Sequence, residues 1–282
     1  MENIINGKEI ASNIREEIKD YILKRIESNL RPPKIVSILV GNDAGSIYYI
    51  NNQEKIATSL GCNFEKVLLN ENISEIELIE KIGGLNLDKE VDGIILQLPL
   101  PVGLNETKII NSICPEKDID CLTYVNQGKL YSNGKTYLPC TPNSIVTLLE
   151  KSKVELEGKN VVVIGRSNIV GKPVAQLLLN KNATVTICHS KTKDLKGICK
   201  LADIIVVAIG KPKFLNEEYI SHNSIVIDVG TSSLNGKITG DVDFENVVDK
   251  VKMITPVPGG VGALTTTLLI KNACEALKNN EN

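Results

Sequence analysis

The sequence predicts an α/β fold with two domains. Helical apolar periodicity alternates with short apolar runs typical of buried strands, which is the pattern of parallel α/β layers. The alternation occurs on both sides of a candidate connecting helix, which Thr141 and Pro142 would open as N-cap and first helical residue. The 282 residues suit two domains of ~100–200 residues each. One large α/β domain is the alternative.

The first half of the chain predicts three helices and three strands in alternation. Isoleucines at steps of four form the apolar stripe of the first helix, at positions 10, 14, 18, 22 and 26. Ser74 and Glu77 form a capping-box pattern that opens the third helix. The other predicted elements are strands over 35–40, 64–69 and 93–98 and a helix over 46–60.

The second half predicts a further α/β unit. Strands are expected over 160–164, 183–188, 203–209 and 224–229, with a helix over 172–179. Residues 255–262 are too rich in proline and glycine for regular structure. A last helix is expected from Ala263 to about Leu277.

Composition argues against several classes of protein. The 32 Lys and Arg residues and 34 Asp and Glu residues give a net charge of −2, which leaves no basic excess for nucleic acid. No apolar stretch approaches the ~18–20 residues of a membrane span, and the N-terminus lacks a signal-peptide pattern. Seven cysteines without a CxxC pair predict reduced thiols in a cytoplasmic protein. Because only His189 and His222 are present, we expect no metal site and no Ser-His-Asp triad.

A glycine-containing turn between a predicted strand and a predicted helix is the candidate nucleotide site. It reads Gly165-Arg-Ser-Asn-Ile-Val-Gly171-Lys-Pro, and such a turn can place a pyrophosphate on a helix N-terminus. Ser167 stands at the second glycine of the usual G-x-G-x-x-G. Five residues between the glycines exclude a P-loop. On spacing alone, a purely structural glycine turn remains the alternative.

The residues that follow the next strand favour NADP over NAD. An NAD-selective site places an acid near the end of that strand, whereas this chain reads Cys188-His-Ser-Lys-Thr-Lys193. Lysines, hydroxyls and Arg166 suit a 2′-phosphate because they donate charge-assisted hydrogen bonds. Lys191 and Lys193 could alternatively be solvated surface residues.

Seven short segments form a further pattern, and they cover residues 40–49, 92–101, 115–120, 139–142, 165–173, 240–244 and 255–262. In order and spacing they resemble the signature blocks of the methylenetetrahydrofolate dehydrogenase/methenyltetrahydrofolate cyclohydrolase family. The resemblance implies a folate-binding catalytic domain over 1–140 plus 263–282 and an NADP-binding, Rossmann-like domain over 141–262. It also implies an active-site cleft between the domains and a homodimer.

The resemblance assigns roles to individual residues. Tyr49 would pack against the folate, Gln97 would lie beside the reacting carbon and Asp120 would hold the pterin ring. These three residues and Gln53 are the catalytic candidates. Further folate contacts are expected at Leu96, Leu98, Pro258, Gly259, Gly260, Val261 and Gly262. NADP contacts are expected at Gly165, Arg166, Ser167, Ser190 and Thr231. A core aromatic, a strand-end residue and a turn cap are the structural alternatives for Tyr49, Gln97 and Asp120.

One departure from the family pattern bears on the chemistry. The family's Tyr-Val-x-x-Lys reads Tyr49-Ile-Asn-Asn-Gln53 here, and in the family that lysine transfers the proton in the cyclohydrolase step. Position 53 shares a helix face with Tyr49, but an amide cannot titrate. Lys55 lies about 200° around the helix axis from position 53 and points away. Cys121 also stands where glycine is usual.

The expected activity is therefore NADP-linked oxidation of 5,10-methylenetetrahydrofolate to 5,10-methenyltetrahydrofolate, with weak or absent hydrolysis to 10-formyltetrahydrofolate. Oxidation depends mainly on positioning, because two nitrogens share the developing positive charge. Hydrolysis needs a proton-transfer group, which typically contributes about 10²–10⁴-fold. A fully bifunctional enzyme, a weakened folate- or nucleotide-binding protein and another two-domain dehydrogenase are the alternatives.

Overall fold

The computed structural model describes residues 3–234 and 237–281. The chain forms two compact units. The first comprises the N-terminal residues through Ser12 with Cys140–Thr265, and the second comprises Asn13–Pro139 with the C-terminal residues from Thr266. Each unit contains a parallel sheet, which confirms the predicted α/β class. None of the described helices is long and apolar enough to cross a membrane.

The unit around residues 13–139 is built on a three-stranded parallel sheet in the order β2-β1-β3. The elements are, along the chain, α1 (Gly7–Glu27), β1 (Lys34–Val40), α2 (Ala44–Ser59), β2 (Asn63–Leu69), α3 (Glu75–Leu87), β3 (Gly93–Leu96), α4 (Glu106–Ile110) and α5 (Tyr124–Tyr131). Val36 and Ile38 of the central strand pack with Leu78 and Ile82 of α3 in the core. The predicted capping box of α3 is present, with Ser74 and Glu77 satisfying each other's backbone N–H.

The apolar stripe of α1 is only partly as predicted. Ile14, Ile18 and Ile22 are buried, but Ile26 is 47% exposed. Steps of four residues advance 400° around a helix of 3.6 residues per turn, so the stripe drifts by about 40° at each step. After several steps the drift carries Ile26 out of the core, and Arg25 is buried at this end of the helix instead.

The unit around residues 140–265 contains a five-stranded parallel sheet in the order β10-β7-β6-β4-β5. Strands β8 and β9 form a separate antiparallel pair. The elements are α6 (Cys140–Lys151), β4 (Asn160–Ile164), α7 (Gly171–Leu179), β5 (Thr184–Cys188), α8 (Leu195–Lys200), β6 (Ile204–Val207), β7 (Ile225–Asp228), β8 (Ser232–Leu234), β9 (Lys237–Thr239), α9 (Phe244–Val247) and β10 (Met253–Ile254). The last helix, α10 (Gly262–Asn280), begins in this unit, but its residues from Thr266 onward belong to the other unit.

This strand order determines where a ligand can bind. After β4, the chain first places β5 on one side and then returns to place β6 on the other side. Open α/β sheets bind ligands outside the carboxyl ends of the strands at such a reversal. The reversal lies between β4 and β6, directly beside the glycine turn that follows β4.

The predicted start of the connecting helix is wrong by a short distance. Helix α6 begins at Cys140, so Thr141 is a helical residue and not the N-cap. Pro142 is tolerated at the third helical position because the first four N–H groups of a helix have no intrahelical partner. The last helix extends three residues beyond the expected end, to Asn280.

Candidate active site

Three polar side chains meet at one face of the three-stranded sheet. Gln97 Nε2 donates to Gln53 Oε1 at 2.7 Å and to Ser37 Oγ at 2.9 Å. Ser37 Oγ lies 3.5 Å from the same Gln53 oxygen. Ser37 and Gln97 are 0% and 7% exposed, whereas Gln53 is half-buried. The cluster is neutral and well bonded, and it contains the position where the family carries its lysine.

The elements explain why these side chains meet. Ser37 pairs in register with Ile95 on β3, and Gln97 follows two residues later, so both side chains are on the same face. The Gln97 N–H extends the ladder to Ile38 O at 2.9 Å. Ser37 is a site residue that sequence reasoning missed. Its signal was a lone polar residue inside the apolar run of β1.

Helix α2 carries both Tyr49 and Gln53. Its N-cap is Asp43, which accepts the Ser46 N–H at 2.8 Å, and this bond helps fix where the helix starts. Tyr49 is 49% exposed and contacts Tyr48 edge-on with ring centroids 6.0 Å apart. It is therefore not a core aromatic. Lys55 is exposed.

The two aspartates of the 115–120 segment have different environments. Asp118 is 1% exposed and accepts hydrogen bonds from the Leu122 N–H, from the Thr123 N–H and hydroxyl, and from Asn126 Nδ2. Burial raises the pKa of Asp118. Asp120 is half-buried, and Asn272 Nδ2 fixes the preceding carbonyl, that of Ile119, at 2.8 Å. Asp118 thus shapes the turn, and Asp120 is the more exposed of the two carboxylates.

The two leucines beside Gln97 differ in burial. Leu96 is 4% exposed in the core of the sheet, and Leu98 packs partly against the same core. Cys121, next to Asp120, has a φ of 58°. This left-handed conformation favours glycine, which agrees with the glycine that is usual at this position.

The segment from Pro258 to Gly262 is held by close backbone packing. A side chain at Gly7 would collide with Gly260 O and would lie 2.7 Å from Gly259 O. Gly260 and Val261 are buried, Gly259 is half-buried, and Pro258 and Gly262 are exposed. Gly7 was not predicted as a site residue, and its only signal is a glycine at the start of a helix.

The backbone of the glycine turn after β4 packs closely on neighbouring backbone atoms. Gly165 has a φ of 133°, and a side chain there would collide with Ala208 O. A side chain at Gly171 would collide with Gly165 O. Ser167 Oγ accepts the N–H groups of Val170 and Gly171 at 3.1 and 3.3 Å, at the start of α7. The glycines are therefore sterically required, and the turn presents a helix N-terminus in the way that a pyrophosphate site needs.

Residues 189–192, which follow β5 and are called the polar rim below, form a tight turn. His189 N–H donates to Thr192 Oγ1 and Thr192 N–H donates to His189 O, both at 2.8 Å. Ser190 and Lys191 are exposed at its tip. Arg166 and Thr231 are exposed as well. Within the part of the chain that the structure describes, no group of three or more His, Cys, Asp or Glu residues is arranged to hold a metal ion.

Known proteins match both units. Residues 5–120 match the tetrahydrofolate dehydrogenase/cyclohydrolase catalytic domain, and residues 139–281 match the NAD(P)-binding domain of the same family. The bifunctional protein FolD of Clostridium botulinum is 66% identical over 281 residues, which cover 100% of both chains.

Solved structures agree with these matches. The bifunctional FolD of Campylobacter jejuni has a TM-score of 0.96 and 41% identity, covering 98% of both chains. The Trypanosoma brucei FolD, described as complexed with NADP cofactor and inhibitor, has a TM-score of 0.94 and 36% identity, covering 99% of this chain and 98% of its own. This chain therefore belongs to the tetrahydrofolate dehydrogenase/cyclohydrolase family.

Proposed function

We propose that this protein oxidises 5,10-methylenetetrahydrofolate to 5,10-methenyltetrahydrofolate with NADP and is a weak methenyltetrahydrofolate cyclohydrolase. The observation that carries the proposal is the hydrogen bond from Gln97 Nε2 to Gln53 Oε1 at 2.7 Å. The bond supports the proposal because Gln53 is a neutral amide engaged with a neighbouring amide, at the position where the family resemblance implies a proton-transferring lysine.

The surroundings of three candidate residues support the positioning that the dehydrogenase step needs. Tyr49 offers an exposed aromatic face to the folate, and Asp120 offers a carboxylate to the pterin. Gln97 uses its amide N–H groups on Ser37 and Gln53, so its carbonyl oxygen is the end that faces a ligand. A carbonyl dipole stabilises the positive charge that develops on the reacting carbon and its two nitrogens.

The cofactor half of the proposal rests on the glycine turn. NADP, when bound, supplies the acceptor for the hydride. Gly165 and Ser167 would face its pyrophosphate, because they form the sterically closed turn at the start of α7. Arg166 and Ser190 would bind the 2′-phosphate, and Thr231 would complete the site from the edge of the sheet. The NADP complex of the Trypanosoma brucei relative supports this choice.

Hydrolysis is expected to be weak for a specific reason. Addition of water to the methenyl carbon and opening of the ring require a group that takes up and releases a proton. Neither Gln53 nor Gln97 can do so, and Ser37 is a buried neutral hydroxyl. Full bifunctionality is the second candidate, because close relatives carry the name bifunctional protein FolD.

The deciding experiment follows NADPH and methenyltetrahydrofolate separately after purified protein is mixed with methylenetetrahydrofolate and NADP. We expect NADPH to form while methenyltetrahydrofolate accumulates, because it is lost no faster than by its uncatalysed hydrolysis. Gln53→Lys should then raise hydrolysis by about 10²-fold or more, since it restores a titratable group. Ser37 Oγ, which lies 3.5 Å from Gln53 Oε1, could accept from the new ammonium group.

The matched control is Asn52→Lys, which adds the same charge one residue earlier on α2, about 100° around the helix. It should leave hydrolysis unchanged. If the wild-type protein consumes methenyltetrahydrofolate much faster than a protein-free control, the protein is bifunctional. The proposal that Gln53 makes hydrolysis weak would then be wrong. If no NADPH forms, repeating the assay with NAD separates a misassigned cofactor from a binding protein.

We further propose a cytoplasmic homodimer. All seven cysteines are free thiols, as expected of a protein in a reducing compartment. The dimer rests on the family resemblance alone, and sedimentation analysis of the purified protein tests it.

A further inference from the structure

Two buried aspartates lie at the carboxyl edge of the five-stranded sheet, and none of the roles described above uses them. Asp228 is the last residue of β7 and is 3% exposed. Asp241 lies between β9 and α9 and is 0% exposed. Buried acids without a cationic partner are costly and need a compensating set of hydrogen bonds. Backbone N–H groups satisfy both carboxylate oxygens of Asp228 and the Oδ2 of Asp241, whereas Asp241 Oδ1 has no hydrogen-bond partner among the described residues.

Asp228 accepts hydrogen bonds from two chain segments, the residues that follow β7 and the residues that follow β9. Its Oδ1 accepts the N–H groups of Gly230 and Asp241, and its Oδ2 accepts that of Val242, all at 2.9 Å. A side chain at Gly240 would collide with Asp228 Oδ2. The carboxylate thus ties the residues after β7, which lead to Thr231, to the start of the 240–244 segment.

Asp241 extends the link to the strand reversal. Its Oδ2 accepts the N–H groups of Ile209 and Gly210 at 2.7 and 3.0 Å. Gly210 has a φ of 64°, and this left-handed conformation turns its N–H towards the same oxygen as the N–H of Ile209. A side chain at Gly230 would lie 2.5 Å from the Asp241 carboxyl group. No larger residue fits between the two acids and the backbone that they hold.

The segment that Asp241 holds borders the candidate nucleotide turn. Gly165 packs so closely on Ala208 O that a side chain would collide with it, and Ala208 directly precedes Ile209 and Gly210. The carboxyl ends of β4 and β6 form the reversal at which such sheets bind ligands. The glycine turn therefore packs against residues 208–210, and their position determines where the turn lies.

We propose that Asp241, supported by Asp228, is a positioning residue for the dinucleotide. It acts through backbone amides that hold residues 208–210 and 229–231 at the carboxyl edge of the sheet. The inference rests on the proposed NADP site and adds two residues to its supporting structure. Neither aspartate touches the cofactor in this account.

The test compares Asp241→Ala with Asp203→Ala. Asp203 accepts the Asn160 N–H at 2.8 Å at the opposite, amino edge of the same sheet, so it controls for the loss of a carboxylate–amide bond. Asp241→Ala should raise the Kd and KM for NADP about ten- to hundredfold, because a displacement of residues 208–210 would also displace the glycine turn that packs on them. Its KM for methylenetetrahydrofolate should stay near the wild-type value. Asp203→Ala should leave the NADP constants unchanged.

Asp241→Asn separates positioning from charge. The asparagine keeps one oxygen, which can accept both the Ile209 and the Gly210 N–H, so NADP binding should stay within about threefold of wild type. A Kd for NADP in Asp241→Ala equal to that of the wild type would overturn the inference and leave the proposed function intact. A wild-type protein that does not bind NADP would overturn both.

Amide hydrogen exchange of the wild-type protein gives a second measurement that does not depend on how the variants fold. NADP should slow the exchange of the Ile209 and Gly210 amides together with that of the glycine turn. Slowing at Arg166 and Ser167 with no change at Ile209 and Gly210 would contradict the proposal.

Discussion

The proposed loss of hydrolysis depends on one residue, Gln53, which stands where the family resemblance expects a titratable lysine. Gln53 keeps the polar contacts of the cluster, because it bonds to Gln97 and lies beside Ser37. It removes the only titratable group that the family pattern places there. Under the proposed function, Gln53 keeps a positioning role through its hydrogen bonds, whereas the proton-transfer role is lost with the charge.

A second residue with a marked effect is Asp228, whose pKa burial raises to about 6 against the opposing influence of three backbone N–H donors. Asp241 is the neighbouring charge, and it raises this pKa further. Because the folded-state pKa exceeds the unfolded value, Asp228 stabilises the protein below about pH 4. That contribution is lost as the pH rises through about 6.

Asp228→Asn should therefore flatten the pH dependence of the free energy of unfolding between pH 4 and 7, by about 2–3 kcal/mol, because the asparagine cannot ionise. Urea unfolding of both proteins across this range measures it. Asp43→Asn is the control, since the Ser46 N–H lowers the pKa of Asp43 and its contribution is lost only at lower pH. Parallel pH profiles for Asp228→Asn and the wild type would contradict the prediction.

At the scale of elements, helix starts and strand ends place the site residues. Helix α2 presents Tyr49 and Gln53 because Asp43 caps it, and β3 presents Gln97 because its ladder continues to Ile38. The start of α1 supports the 258–262 segment through Gly7. The cap is a side-chain contact, whereas the contact at Gly7 is made by backbone atoms and depends on the absence of a side chain there.

Gly7→Ala should displace residues 259–260, since the new methyl group would occupy the space of Gly260 O. We expect the KM for methylenetetrahydrofolate to rise about tenfold, because small misplacements in a binding site are costly. Steady-state kinetics measure it. The control is Gly84→Ala on α3, where the methyl group meets nothing within 4 Å. That substitution should stabilise the protein by up to about 1 kcal/mol and leave the KM unchanged.

At the scale of the whole molecule, each compact unit has its own sheet and its own candidate binding site residues. The unit around 140–265 contains the glycine turn, the polar rim and the aspartate pair. The unit around 13–139 contains the amide cluster, Tyr49 and Asp120. A ligand that binds only the folded protein stabilises it according to its concentration and affinity.

NADP at 100 times its Kd should raise the free energy of unfolding by about 2.7 kcal/mol. NAD at the same concentration should raise it much less, because it lacks the 2′-phosphate that Arg166 and Ser190 would bind. Urea unfolding with each nucleotide measures the difference, and Arg166→Ala should narrow it. Equal stabilisation by NAD and NADP would refute the cofactor preference.

The sequence by itself determined the α/β class, most strand and helix cores, the glycine turn and the family. These features depend on local periodicity, capping and turn chemistry, which can be read from residues close together in the sequence. Comparison with the family's Tyr-Val-x-x-Lys pattern also identified Gln53 as a departure from the expected lysine. The start of α6 was predicted wrongly because helix ends depend on packing. The burial of Ile26 was predicted wrongly because steps of four residues drift around a helix of 3.6 residues per turn.

Only the tertiary structure decided which polar residues act together. Ser37 meets Gln97 because two strands pair in one register, and Asp228 meets Asp241 because β7 and the 240–244 segment end at the same edge of the sheet. Gly7 contacts Gly260 although more than 250 residues separate them in the sequence. No local pattern encodes such contacts, because they arise from chain segments that only the fold brings together.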